Sequence, residues 1–278
     1  MDQINPEIAQ VLSNNRALTL GESFFTSFRD FNGKIPFAES HFRRLYETLK
    51  EFYRLNSNPQ MMESLNQSLK ASFQLCEKLI FDNQNQLDES LYFRITTLPV
   101  SEKFVPAQDL KFYFQISCRS LQKIKKLVNV IFKKRNEEVF IHGKLGAYQS
   151  QVNELLNHPA ADEIIYLNQK DEFLEATTSN IIVLDPTQKK VRIPKKSNAI
   201  FSGIFQEKMV TYLQNNNYQI LETNITQKSL ASTEIILLTN SVKGLVIAQV
   251  ENDKESFINL VDQLELELFK SEMKKEIL

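Results

Sequence analysis

Two short stretches carry residue types that could make and break covalent bonds. The first is Gly143, Lys144, Leu145, Gly146, Ala147, Tyr148, a lysine amine between two glycines, preceded by the apolar Val139, Phe140 and Ile141. The second is Leu174, Glu175, Ala176, Thr177, Thr178, Ser179, Asn180, a single acid in an apolar and hydroxyl-rich run. An amine can condense with an aldehyde when burial or a nearby cation lowers its pKa and frees the neutral form. A carboxylate in an apolar strand wants a cationic partner, because an isolated buried charge is costly; a protonated ring nitrogen is one. Together they are the pair that pyridoxal phosphate chemistry requires. Alone, each has a plainer reading: Lys144 as a solvated loop residue, Glu175 as a surface acid on an edge strand.

A third element completes the set. Ser202-Gly203-Ile204-Phe205 stands before a helical pattern, and the backbone amides at a helix N-terminus donate readily to a phosphate. Arg44, in the run HFRRL, and the donors of Thr239, Asn240 and Ser241, in LTNS, could supply the remaining contacts. Taken singly, Gly203 is merely a cap and Arg44 equally a surface ion pair.

The elements that must hold these groups follow from pattern. Glycine occurs only 6 times, so each one marks a place where the backbone needs positive φ or a close approach. Asn32-Gly33 after the aromatic run Gly21 to Arg29 predicts a strand, a turn and a second strand. Phe42, Leu45, Leu49 and Phe52 recur at helical spacing, predicting a helix over 38–52 with Ser40 as N-cap. A second helix is expected from Asn58 to Phe81, and strands at Leu91 to Thr97, which carries Arg94, and at Leu110 to Ser117. The basic, polar stretch from Arg119 to Asn129 reads as a solvated connection between domains. Beyond it, helices are expected at 148–156, 203–214 and 254–274, and strands at 163–167, 181–184, 235–238 and 245–250. This gives an N-terminal domain over 1–118 and a C-terminal, cofactor-binding domain over 119–278.

Charge and composition narrow the partners. With 33 basic and 34 acidic residues the net charge is -1, so no field draws the chain to nucleic acid or an anionic membrane. No apolar run reaches membrane-spanning length, and the first fifteen residues lack the basic then apolar order of a secretory signal. Cys76 and Cys118 have neither zinc-site nor redox spacing and read as core residues in a reducing, cytoplasmic compartment. No metal site is expected, and the natural partner is a small molecule or another protein.

In their order, GESFFTSFRDFNGK, HFRRL, Lys144 with Tyr148, ADEIIYLNQKDEFLEATTSNIIVL and SGIFQ resemble the class IV aminotransferases, the fold type IV pyridoxal phosphate enzymes. TNSVKG and Phe25-Thr26-Ser27 are most similar to the aminodeoxychorismate lyase branch. The resemblance implies a mixed α+β / α/β chain, a smaller N-terminal α+β domain followed by a larger strand-rich one, and a homodimer. It implies that pyridoxal 5'-phosphate is bound covalently by Lys144, at its ring nitrogen by Glu175, and at its phosphate by Arg44, the Gly203, Ile204 and Phe205 segment, Asn240 and Ser241. Thr26, Arg94 and Asn240 would face substrate. The implied reaction is conversion of 4-amino-4-deoxychorismate to 4-aminobenzoate and pyruvate, in folate biosynthesis. The alternatives are a branched-chain or D-amino acid aminotransferase and a non-catalytic relative. The sequence departs from the family's pattern at Leu98-Pro99, at Gln206 where arginine is common, and in lacking a proline after TNSVKG. These departures bear on the substrate more than on the cofactor.

Overall fold

The computed structural model describes residues 14–83, 90–103, 109–135, 149–197, 199–250 and 255–275. Lys144, its flanking glycines and Tyr148 lie outside the described residues. The chain divides into two compact units, the first running to Leu121 and the second opening at Gln122.

The first unit sets two helices against a small sheet. After a one-turn helix α1, Arg16–Thr19, come strand β1, Phe25–Arg29, helices α2, Ala38–Phe52, and α3, Pro59–Asn83, and strands β2, Leu91–Val100, and β3, Lys111–Ser120. The three strands are antiparallel in the order β1-β2-β3. Strand β2 alternates buried and half-buried residues, the period of a sheet covered on one face. Its covered face carries Phe93 and Ile95 into a core with Phe24, Phe28, Leu45, Leu49, Leu69 and Phe73. The apolar stripe expected on α2 meets this core through the fully buried Leu49 and nearly buried Leu45.

Three local expectations need correction. Asn32 and Gly33 do take positive φ, and Phe31 and Lys34 exchange both backbone hydrogen bonds across them. The second strand after this turn is missing. Pro36 follows without an amide donor, and β1 pairs instead with the distant β2, in the register Phe28↔Phe93. The N-cap of α2 is Phe37 in the left-handed region, with no side-chain cap, rather than Ser40. Only Cys76 is a core residue, its thiol pushed up to about 12 by burial. Cys118 is exposed, because the last four residues of β3 are exposed on both faces.

The second unit is one mixed sheet of eight strands in the order β6-β5-β4-β11-β10-β7-β8-β9. The strands are β4, Leu127–Lys134, β5, Glu163–Leu167, β6, Phe173–Ala176, β7, Asn180–Asp185, β8, Lys190–Pro194, β9, Gln219–Thr223, β10, Ile235–Asn240, and β11, Gly244–Gln249. Helices α4, Gln149–Leu156, α5, Ile204–Asn215, and α6, Ile258–Lys275, complete it. Strands β5 and β7 are buried at every position, as strands covered on both faces must be. Strands β8 and β9 escape the periodicity reading because they are polar and lie at the sheet's margin.

The basic run before β4 is less solvated than its charge suggests. Lys126 Nζ reaches Glu265 Oε2 and Asp262 Oδ1, both at 3.0 Å. Glu265 also accepts from the Leu245 amide at 2.7 Å. A Cβ at Gly244, whose φ is +72, would lie 2.2 Å from that carboxylate. This glycine lets α6 close onto the start of β11.

Candidate functional site

Glu175 is the centre of the geometry in the second unit. Strand β6 buries Phe173, Leu174 and Ala176, leaving the Glu175 side chain 12% exposed. One carboxylate oxygen accepts from Arg135 Nη2 at 3.2 Å, the other from the Phe201 amide at 2.9 Å. Arg135 follows the end of β4, donates also to the Ala199 carbonyl at 2.7 Å, and lies 4.4 Å from the centroid of the Tyr166 ring. Tyr166 donates to Glu154 at 2.6 Å, and burial together with that carboxylate holds its phenol proton far above the ordinary range. The acid expected to seek a cation is thus oriented by one, with a neutral hydroxyl beneath.

The loop before α5 ties this carboxylate to the helix N-terminus. Phe201, which donates to Glu175, accepts at its carbonyl from Asn180 Nδ2 at 2.5 Å. Asn180 Oδ1 in turn fills the space beside Gly203, where a Cβ would lie 1.9 Å away. Gly203 is the N-cap of α5 in extended conformation, and no side chain caps the helix. The amides of Ile204 and Phe205 therefore open a twelve-residue helix whose N-terminus favours an anion. The side chains of these two residues face inward, that of Phe205 against Phe269 with ring centroids 5.7 Å apart. Gln206 anchors the helix by donating to the Ile181 carbonyl at 2.8 Å.

Asn240 and Ser241 stand at the turn from β10 to β11. Asn240 Nδ2 donates to the Thr178 carbonyl at 2.6 Å, and its Oδ1 accepts from the amides of Val242 and Lys243. Both ends of that side chain shape the turn. Ser241 is half-buried in it.

The other three expected residues belong to the first unit. Thr26 is fully buried, its hydroxyl 2.6 Å from His41 Nδ1 and accepting from Arg44 Nη2 at 3.0 Å. Thr26 and Arg44 are thus brought together, with the hydroxyl holding the guanidinium. Arg94 lies on the opposite face of the sheet from Phe93, its guanidinium carbon 3.7 Å from the Phe25 ring centroid and its Nε donating to Thr96 at 3.1 Å.

The arrangement suits a phosphorylated pyridine. A pyridinium N–H needs an acceptor, which Glu175 offers, and a phosphate dianion needs donors, which the uncapped N-terminus of α5 offers within the same hydrogen-bonded loop. Arg135, Asn180 and the Phe201 amide were not singled out from sequence. Arg135 is hidden in the basic run KKR, whereas Asn180 ends the hydroxyl-rich run after Glu175.

Residues 23–249 match the model of the amino-transferase class IV family. Similar solved structures include a hypothetical aminotransferase from Mycobacterium tuberculosis in its pyridoxal phosphate-bound form, 13% identical, TM-score 0.73, covering 98% of this chain and 94% of that one. The branched-chain amino acid aminotransferase of Escherichia coli is 16% identical with TM-score 0.72, covering 96% and 91%. A Legionella pneumophila protein assigned as a 4-amino-4-deoxychorismate lyase is 20% identical with TM-score 0.63, covering 91% and 94%. No curated protein matches. The mixed α and β fold with its curled strand-rich sheet is that of the fold type IV aminotransferases. The chain belongs to the class IV aminotransferase family, whose enzymes use pyridoxal 5'-phosphate.

Proposed function

We propose that this enzyme is a lyase that converts 4-amino-4-deoxychorismate to 4-aminobenzoate and pyruvate. The observation that carries the cofactor half of this reading is the Glu175 carboxylate, fixed by Arg135 and by the Phe201 amide of the loop that leads into α5. The substrate half rests on the TNSVKG and Phe25-Thr26-Ser27 elements and on the likeness to the Legionella protein.

In this reading the amides of Ile204 and Phe205 hold the phosphate, joined by Ser241, and Glu175 accepts from the ring nitrogen; the family resemblance adds Arg44 as a phosphate ligand. Bound pyridoxal 5'-phosphate supplies an aldehyde for amines and a ring that withdraws electrons. Arg135 keeps the Glu175 carboxylate aimed, and the neutral Tyr166 beside Arg135 adds no competing charge. Lys144 Nζ takes a proton from substrate as base and returns one as acid, and the aromatic ring formed on loss of the pyruvyl unit drives the elimination. Arg94 supplies a guanidinium for a substrate carboxylate. Thr26 holds Arg44 through its buried hydroxyl and so acts on the phosphate ligand, and Asn240 shapes the turn between β10 and β11. A cytoplasmic homodimer belongs to the same proposal; no helix among the described residues is long and apolar enough to cross a membrane.

The family match and the likeness to the branched-chain enzyme favour a second reading, transfer of an amino group to a 2-oxo acid by the same lysine and acid. One assay separates them. The purified protein with pyridoxal 5'-phosphate should release 4-aminobenzoate from aminodeoxychorismate, and a Lys144→Ala variant should not. Glutamate formation from 2-oxoglutarate and an amino acid, without 4-aminobenzoate, would replace the lyase by the transferase.

A further inference from the structure

The hydroxyl-rich run after Glu175 has a partner that the cofactor reading does not use. Glu163, the first residue of β5, is fully buried, and its carboxylate collects donors from two separate turns. From the turn between β6 and β7 it accepts from the Thr178 amide at 2.9 Å, from the Thr178 hydroxyl, and from the Ser179 hydroxyl at 3.2 Å. From the turn between β10 and β11 it accepts from Lys243 Nζ at 2.7 Å, which also reaches the Thr178 hydroxyl at 3.2 Å. The amide of Asn240 joins the same two turns through the Thr178 carbonyl.

We infer that Glu163 and Lys243 form a strap that positions the cofactor-binding acid. The turn they fix begins at Ala176, directly after Glu175, and ends at Asn180, which holds the Phe201 carbonyl. Phe201 donates to Glu175, so both the strand that carries the carboxylate and the loop that orients it depend on where Thr178 and Ser179 sit. A carboxylate is the group this site requires, because the Thr178 amide and the Lys243 ammonium can only donate. Outer residues that orient a metal ligand change affinity or activity by about 10-fold to 100-fold when replaced, and an effect of the same order is expected where the oriented group is the Glu175 carboxylate. This inference rests on the reading of Glu175 as the ring-nitrogen acceptor.

The test is pyridoxal 5'-phosphate binding by the purified full chain, read by fluorescence titration and by the pH dependence of the bound cofactor's visible absorbance. Glu163→Gln and Lys243→Gln should each weaken cofactor affinity about 10-fold or more and displace the pH midpoint of the absorbance, with circular dichroism unchanged. Lys243→Arg, which keeps a donor to Glu163, should restore part of both. Lys243 is more than a third exposed, so its variants report even where Glu163→Gln does not fold. Variants that match the parent in affinity and midpoint overturn the strap. A parent protein that binds no pyridoxal 5'-phosphate, or a Glu175→Gln variant with an unaltered midpoint, overturns the reading beneath it instead.

Discussion

Asn180 Oδ1 occupies the space that a Cβ on Gly203 would need, 1.9 Å from that position. The same asparagine holds the Phe201 carbonyl through its other side-chain atom, so the glycine is required by a close approach and not by its φ of -86. Gly203→Ala should push Asn180 aside, release Phe201 and loosen Glu175. Overpacking of this kind costs about 1–3 kcal/mol. Thermal melts with and without pyridoxal 5'-phosphate test it: the variant should lose more of the cofactor-dependent stabilisation than of the stability without cofactor.

Glu175→Gln replaces an acceptor of two donors by a group that must turn an NH2 toward Arg135 or toward the Phe201 amide. One donor then lacks its partner. The variant is expected to bind pyridoxal 5'-phosphate and to lose about 100-fold in turnover, because a neutral amide holds the ring nitrogen's proton less well. Turnover equal to the parent's, at saturating cofactor and substrate, would remove Glu175 from the site.

Thr26→Val keeps the shape of a fully buried side chain and deletes the hydroxyl that joins His41 and Arg44. A hydrogen bond to a charged group contributes about 1.5–3 kcal/mol, and each 1.4 kcal/mol is a factor of about ten. The variant should therefore bind pyridoxal 5'-phosphate at least about 10-fold more weakly while KM for substrate at saturating cofactor stays close to the parent's. A change confined to KM would return Thr26 to the substrate.

Asp185 ends β7 with its carboxylate accepting from the amides of Gln188 and Thr187 and from the Thr233 hydroxyl. The Gln188 amide, then the Thr233 hydroxyl and the Thr187 amide, hold its carboxyl below the usual range against the opposing effect of burial. A depressed folded pKa contributes stability that is present above the unfolded value, about 3.9, and is lost as pH falls through the folded one. Asp185→Asn should be about 1–2 kcal/mol less stable at neutral pH. The two denaturation midpoints should converge below pH about 4; a constant gap down to strong acid would contradict the assignment.

Part of the proposed site is legible in residue type. Glu175 stood out as one acid in an apolar run, Gly203 as a rare glycine before a helix, and Arg44 as a basic residue on an amphipathic helix. Their partners were not legible, because partnership comes from strand order. Arg135 meets Glu175 only because β5 lies between β4 and β6. Phe201 and Asn180 meet because the loop before α5 folds back on the start of β7. That His41 and Arg44 converge on the Thr26 hydroxyl from α2 is not legible in sequence, because it is set by packing. The Asn32-Gly33 turn was correct and its second strand was not, because pairing is decided by a strand more than sixty residues further along, β2.

The order of the eight strands also dictates when the second unit can assemble. Strand β11, the last of them in the chain, lies between β4 and β10 and pairs with β4 in parallel. Until β11 is in place, β4 and β10 each keep an unpaired inner edge, and β6-β5-β4 and β10-β7-β8-β9 cannot join into one sheet. Late insertion of a central strand is a slow step by its contact order and leaves those edges open to intermolecular pairing in the interval. A chain truncated before β11 should therefore aggregate more readily than the full chain.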